Sequence, residues 1–150
     1  MSNKLYVEDV LEWKRINALL LEFEYIFPHL DAKIESYEEY SKKLEKYANV
    51  RLCKIDDEIC GILVYYANDH ITKTAYISLI GIHKQWQGKH IGRFLLEYCV
   101  EDSKRVGMEL LKLEVDRDNL QAIKFYGKHG FVKEKEINCE SFYMVKQLSD

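Results

Sequence analysis

Apolar residues recur at helical spacing in the first part of the chain. Val10, Leu11, Ile16, Leu19, Leu20 and Phe23 stand mostly three or four positions apart, which predicts an amphipathic helix from about Glu8 to Phe27, ended by Pro28. A strand before it, at Leu5 to Val7, is short. Ser36 followed three residues later by Glu39 is a capping-box spacing and opens a second helix running to about Ala48. The pattern then changes. Val50 to Ile55, Ile59 to Ala67 and Thr74 to Ile82 are rich in β-branched and aromatic residues, with turns at Asp56-Asp57-Glu58 and Asn68-Asp69. Three successive strands in a meander follow from that. Helical period returns with Ile91, Phe94, Leu95, Tyr98 and Cys99, and Gly107 stands where a helix closes on a left-handed residue. Leu110 to Val115 reads as a buried strand. A helix separates it from the strand ending at Ile82, so the two should run parallel through a right-handed crossover. Asp118 or Asn119 can cap a last helix that turns Ala122, Ile123 and Tyr126 inward and closes at Gly130. Phe131 to Ile137 and Phe142 to Gln147 make a final hairpin. The expected fold is α/β, one domain over residues 1–150, with a mixed twisted sheet of about six or seven strands and about four helices.

Composition narrows the class. At 150 residues, with 47% hydrophobic and 31% charged positions and a single proline, the chain can bury a core without staples. Its net charge of -3 offers no strong attraction to nucleic acid or an anionic membrane. Residues 1 to 50 hold seven Lys/Arg against ten Asp/Glu, and residues 83 to 150 hold twelve against eleven, so the front is acidic and the back slightly basic. No apolar run approaches the roughly 18 residues of a membrane span, and Met1-Ser2-Asn3-Lys4 does not open a signal peptide. The expectation is a soluble, cytoplasmic protein. Cys53, Cys60, Cys99 and Cys139 lack metal-ligand spacing, so no metal is expected. A two-residue turn at Asp56-Asp57 would make Cys53 and Cys60 a cross-strand pair of reduced thiols.

Candidate chemistry concentrates between Ile80 and Arg93, where a strand passes into a helix. Free backbone N–H groups and the positive end of the helix dipole make such a junction an anion site, and Gly88, Lys89, Gly92 and Arg93 suit a phosphate. The spacing is neither the dinucleotide fingerprint nor the P-loop, because His90 follows Gly88-Lys89 where the P-loop needs Ser or Thr.

Two stretches together resemble the GNAT superfamily of acetyl-CoA-dependent N-acetyltransferases. Residues 87–92 are similar to its Gln/Arg-x-x-Gly-x-Gly/Ala loop, with Gln87 leading, His90 in place of the first glycine and Gly92 as the second. Lys84 stands where many relatives have proline. Asn119 to Phe131 resembles the family's Asn-x-x-Ala-x-x-x-Tyr-x-x-x-Gly-Phe segment without a gap. The resemblance implies acetyl-CoA as co-substrate, its pantetheine arm held by backbone groups of Ile80 and Ile82. Its phosphates would lie on Gln87, Gly88, Lys89, His90, Ile91, Gly92 and Arg93, with His90 in a helical or mildly strained backbone and its ring turned outward. Asn119 would position the arm, serve as a helix N-cap, or both. Tyr126 is implied as the general acid at the departing sulfur. For the base, Glu114 is the best single candidate beside Tyr76, Ser78, His83 and a water relay. The connection carrying Tyr25, Phe27, His29 and Asp31, together with the hairpin around Glu136 to Glu140, would select a primary amine on a small molecule or a peptide. The alternative is an acyl-CoA-binding sensor without turnover, and a homodimer is left open.

Overall fold

The computed structural model describes residues 4–27 and 30–148. Its strands are β1 (Leu5–Asp9), β2 (Asn49–Ile55), β3 (Glu58–Asp69), β4 (Thr74–Ile82), β5 (Leu110–Asp116), β6 (Val132–Glu136) and β7 (Ser141–Gln147). The helices are α1 (Trp13–Phe23), α2 (Leu30–Lys33), α3 (Tyr37–Tyr47), α4 (Ile91–Arg105) and α5 (Leu120–Lys128). The seven strands form one mixed sheet in the order β1-β2-β3-β4-β5-β7-β6, with β4 and β5 parallel. The chain divides into two compact units, residues 1–65 with 79–98, and residues 66–78 with 99–150.

In the first unit β3 is buried at six consecutive positions, Cys60 to Tyr65, as expected of a central strand covered on both faces. Gly61 permits this: a Cβ there would stand 3.0 Å from Leu95 of α4 and 2.9 Å from Ile82. Ser36 caps α3 as its spacing predicts, its hydroxyl accepting from the Glu39 N–H at 3.2 Å. The first helix differs from the expected span. Glu8 and Asp9 belong to β1, paired with Leu52 and Arg51, and α1 begins only at Trp13, whose N–H is accepted by the Glu45 carboxylate of α3 at 3.0 Å. That cap comes from 32 residues away, so no local signal marks the start. Val10 is buried outside the helix while Leu11 is 77% exposed. The helix ends at Phe23 and tightens into a 3₁₀ turn, Glu24–Ile26; Pro28, the expected stop, lies outside the described residues.

Cys53 and Cys60 are not a cross-strand pair. A β-bulge after Cys53 sets that residue opposite Gly61, and the Cys60 thiol donates instead to the Cys53 carbonyl at 3.1 Å. Both are free and buried, and burial pushes both thiols upward from their ordinary pKa.

In the second unit β3 runs on to Asp69 through the expected Asn68-Asp69 turn, and the chain reverses at residues 70–73. Asp69 accepts from the Ile71 and Thr72 amides, an Asx arrangement that places the reversal after it. Gly107, at φ 93°, ends α4 in a Schellman motif, its N–H going to the Lys104 carbonyl and that of Met108 to the Ser103 carbonyl. The last strand β7 lies between β5 and β6. Leu111, Leu113, Val115, Phe142 and Met144 are buried, each two residues from the next on β5 or β7, as period-two patterning requires.

Among the described residues, no helix is long and apolar enough to cross a membrane.

Candidate functional site

The first unit carries the anion loop. β4 ends at Ile82, a 3₁₀ turn covers Lys84–Trp86, and α4 opens at Ile91. Two side chains hold the turn down from opposite ends. Glu58 accepts from Trp86 Nε1 at 2.8 Å and from Gln85 Nε2 at 3.1 Å, and Gln87 donates its carboxamide to the Ile82 carbonyl at 3.1 Å. The leading Gln87 of the motif thus folds the loop back on its own strand. Gly88 and His90 both have left-handed backbones, at φ 78° and 65°, so His90 takes the conformation that glycine would take there. Histidine tolerates that region better than most residues. Its ring is exposed, as is Lys89.

A Cβ added at Gly88 would meet nothing within 4 Å, so the loop is open where the glycine sits. The N–H groups of Ile91, Gly92 and Arg93 begin α4 and have no intrahelical acceptor, and no acidic residue stands in that first turn. Arg93 is paired with Glu97 at 2.9 Å yet remains exposed. Outward amides, a positive helix end, an open glycine and Lys89 together fit a diphosphate.

β4 pairs with β5 only from Thr74–Leu110 to Ile77–Leu113.

The second unit carries the acid candidate. Asn119 caps α5, its Oδ1 accepting from the Ala122 N–H at 3.1 Å. Two helical turns on, Tyr126 is 9% exposed, its ring edge-on to Phe125 and Phe131 at 5.3 and 5.5 Å. Its hydroxyl makes no hydrogen bond among the described residues. Burial, and next the neighbouring Cys99 thiol, push the phenol up to about 12, which keeps it protonated at neutral pH.

The helix holding Tyr126 is closed by Gly130 at φ 92° and by Lys146, whose ammonium donates to the His129 carbonyl at 2.8 Å. Glu114 is exposed on β5, opposite Tyr143, and accepts from the buried Ser141 hydroxyl at 2.7 Å.

Of the acceptor candidates, His29 lies outside the described residues. Tyr25 joins a group that sequence spacing did not reveal: it bonds His83, which also bonds Glu22. Separations of 58 and 61 residues leave no local signal for it. Glu136 is bound by Arg117 and Lys133, which hold its carboxyl below the usual range.

The chain belongs to the GNAT acetyltransferase family, whose model matches residues 13–131. It is 31% identical over 81 residues to a mycothiol acetyltransferase of Jonesia denitrificans, covering 53% of this chain and 26% of that one. It spans 26% to 56% of the length of the curated relatives it matches. A GNAT-family protein of Desulfovibrio desulfuricans superposes with a TM-score of 0.81 at 16% identity, covering 97% of this chain and all of that one. A protein of Salmonella typhimurium, solved with its cofactor acetyl-CoA, superposes at 0.76 with 16% identity, covering 99% and 96%. At these identities the two structures establish the fold.

Proposed function

We propose that the protein transfers an acetyl group from acetyl-CoA directly to a primary amine. The observation that carries this reading is Tyr126, a nine-tenths buried phenol in an ungapped family motif, whose hydroxyl has no hydrogen-bond partner among the described residues and whose pKa is raised to about 12. A hydroxyl kept protonated and left without an acceptor is suited to give its proton to a ligand. Acetyl-CoA supplies the thioester. Gln87 to Arg93 would hold its phosphates through the outward amides of α4, and Ile80 and Ile82 would offer backbone groups to the pantetheine arm. Asn119 would add its side-chain NH₂.

In the transfer a C–N bond forms to the amine and the C–S bond breaks. The thiolate leaves with the Tyr126 proton, and the amine's excess proton passes to a base. Glu114 serves as that base in this reading, with one carboxylate oxygen bonded to Ser141 and the group open to solvent. An alkylammonium of pKa ~10.4 costs about 4.6 kcal/mol to deprotonate at pH 7, so a proton acceptor is required. Incubation with acetyl-CoA and a panel of primary amines, followed by free-thiol release, tests the reading. Amine-dependent thiol release supports it. Acetyl-CoA binding without release against any amine would leave a sensor instead.

A further inference from the structure

His83 is the first residue after β4. Its ring stacks on Phe23 of α1 with centroids 3.9 Å apart and planes 17° apart. Nε2 lies 2.6 Å from the Glu22 carboxylate and Nδ1 lies 2.9 Å from the Tyr25 hydroxyl. The same Tyr25 oxygen accepts the backbone N–H of Lys84 at 3.0 Å. One donor order satisfies every group: Lys84 N–H to the Tyr25 oxygen, Tyr25 O–H to Nδ1, and Nε2–H to Glu22. The His83 side chain is only 13% exposed, so both ring nitrogens are committed within the protein.

The next strand residue inward on that face is Gly81, where a Cβ would stand 2.6 Å from the Phe27 ring and 3.1 Å from Ile26. Residues 22–27 are therefore fastened to residues 81–84 by two ring stacks on His83, from Phe23 and Tyr25, three hydrogen bonds and a contact that only glycine permits. The first segment lies in the connection expected to face the acceptor. The second leads directly into the phosphate loop.

We propose that His83 is a positioning residue that holds segment 22–27 on the end of β4, so that seating of the acceptor and seating of the phosphate loop depend on the same imidazole. The acceptor half of this rests on the acetyltransferase reading above. Tyr25 lies in the 3₁₀ turn Glu24–Ile26 and from there meets both His83 and the Lys84 N–H.

The variants are His83→Phe, which keeps a ring for the Phe23 stack and removes both nitrogen bonds, and Tyr25→Phe, which removes the bonds to His83 and Lys84. Amide hydrogen exchange on the unliganded protein should be about tenfold faster at Tyr25 to Phe27 in each variant, with α3 unchanged. Calorimetry should show acetyl-CoA binding weakened severalfold. With an amine that the wild type acetylates, the acceptor KM should rise about tenfold while kcat at saturation stays within twofold.

Unchanged exchange at Tyr25 to Phe27 in His83→Phe overturns the proposal. Faster exchange with an unchanged acetyl-CoA affinity overturns the link to the loop, and an unchanged acceptor KM overturns the link to the acceptor. A wild type that acetylates no amine defeats the acetyltransferase reading alone, because exchange and acetyl-CoA affinity still decide the role of His83. Should His83→Phe not fold, Tyr25→Phe carries the same measurements.

Discussion

Replacing Tyr126 by Phe separates a catalytic hydroxyl from a packing ring. The substitution keeps the edge-on contacts to Phe125 and Phe131 and removes an oxygen that has no hydrogen-bond partner among the described residues. No donor or acceptor is orphaned, so the usual ~1–3 kcal/mol cost of a broken buried bond does not arise. The expected stability change is within about 0.5 kcal/mol, or about 1–2 °C in melting temperature for a domain of this size. If the hydroxyl protonates the departing thiolate, turnover should fall by roughly 10²–10⁴ with little change in acetyl-CoA affinity.

A second, activity-independent consequence follows from the raised pKa. The unfolded phenol titrates near 10 and the folded one at about 12. Ionisation of Tyr126 therefore has no effect on stability below pH ~10 and costs stability as pH rises towards 12, by up to roughly 3 kcal/mol at 1.36 kcal/mol per pH unit. The Phe variant lacks this loss, so urea titrations at pH 10 to 12 should show its stability falling less steeply than the wild type's. Stopped-flow thiol release, calorimetry and alkaline denaturation give the three readouts. Wild-type turnover in Tyr126→Phe would reduce the residue to packing, and a large drop in melting temperature would show that the hydroxyl has a structural partner.

Acetyl-CoA at a hundredfold excess over its Kd should stabilise the fold by ~2.7 kcal/mol, seen as a rise of several degrees in a thermal-shift assay; no shift at millimolar ligand would refute the loop assignment. Gly130→Ala places a Cβ on a residue at φ 92°, 2.6 Å from the Lys146 ammonium, and should cost about 1–2 kcal/mol from the left-handed backbone, measured by urea unfolding; an unchanged midpoint would refute the strain argument. Ser36→Ala removes the acceptor of the Glu39 N–H and should lower the melting temperature by about 2–4 °C, the equivalent of ~1 kcal/mol.

Local order is what the chain's own sequence determined. The strands from Asn49 to Ile82, the cap at Ser36, the glycine stop at Gly107 and the ungapped run from Asn119 to Phe131 each rest on residues within a few positions of one another. Their physics of period, capping and left-handed backbone is complete at that range. The anion loop was legible for the same reason, since the amides that open α4 follow directly from where the helix begins.

Tertiary structure decided what depends on distant partners. The start of α1 is set by Glu45 of another helix, and β1 takes Glu8 and Asp9 from the expected helix because β2 offers them a ladder. A bulge after Cys53 shifts the pairing that a plain turn would impose. The raised pKa of Tyr126 exists only once α5 is buried beside Cys99. Glu22, Tyr25 and His83 meet across about sixty residues, and hydrogen bonds over that separation leave no periodic trace, because only the folded backbone brings the groups within reach.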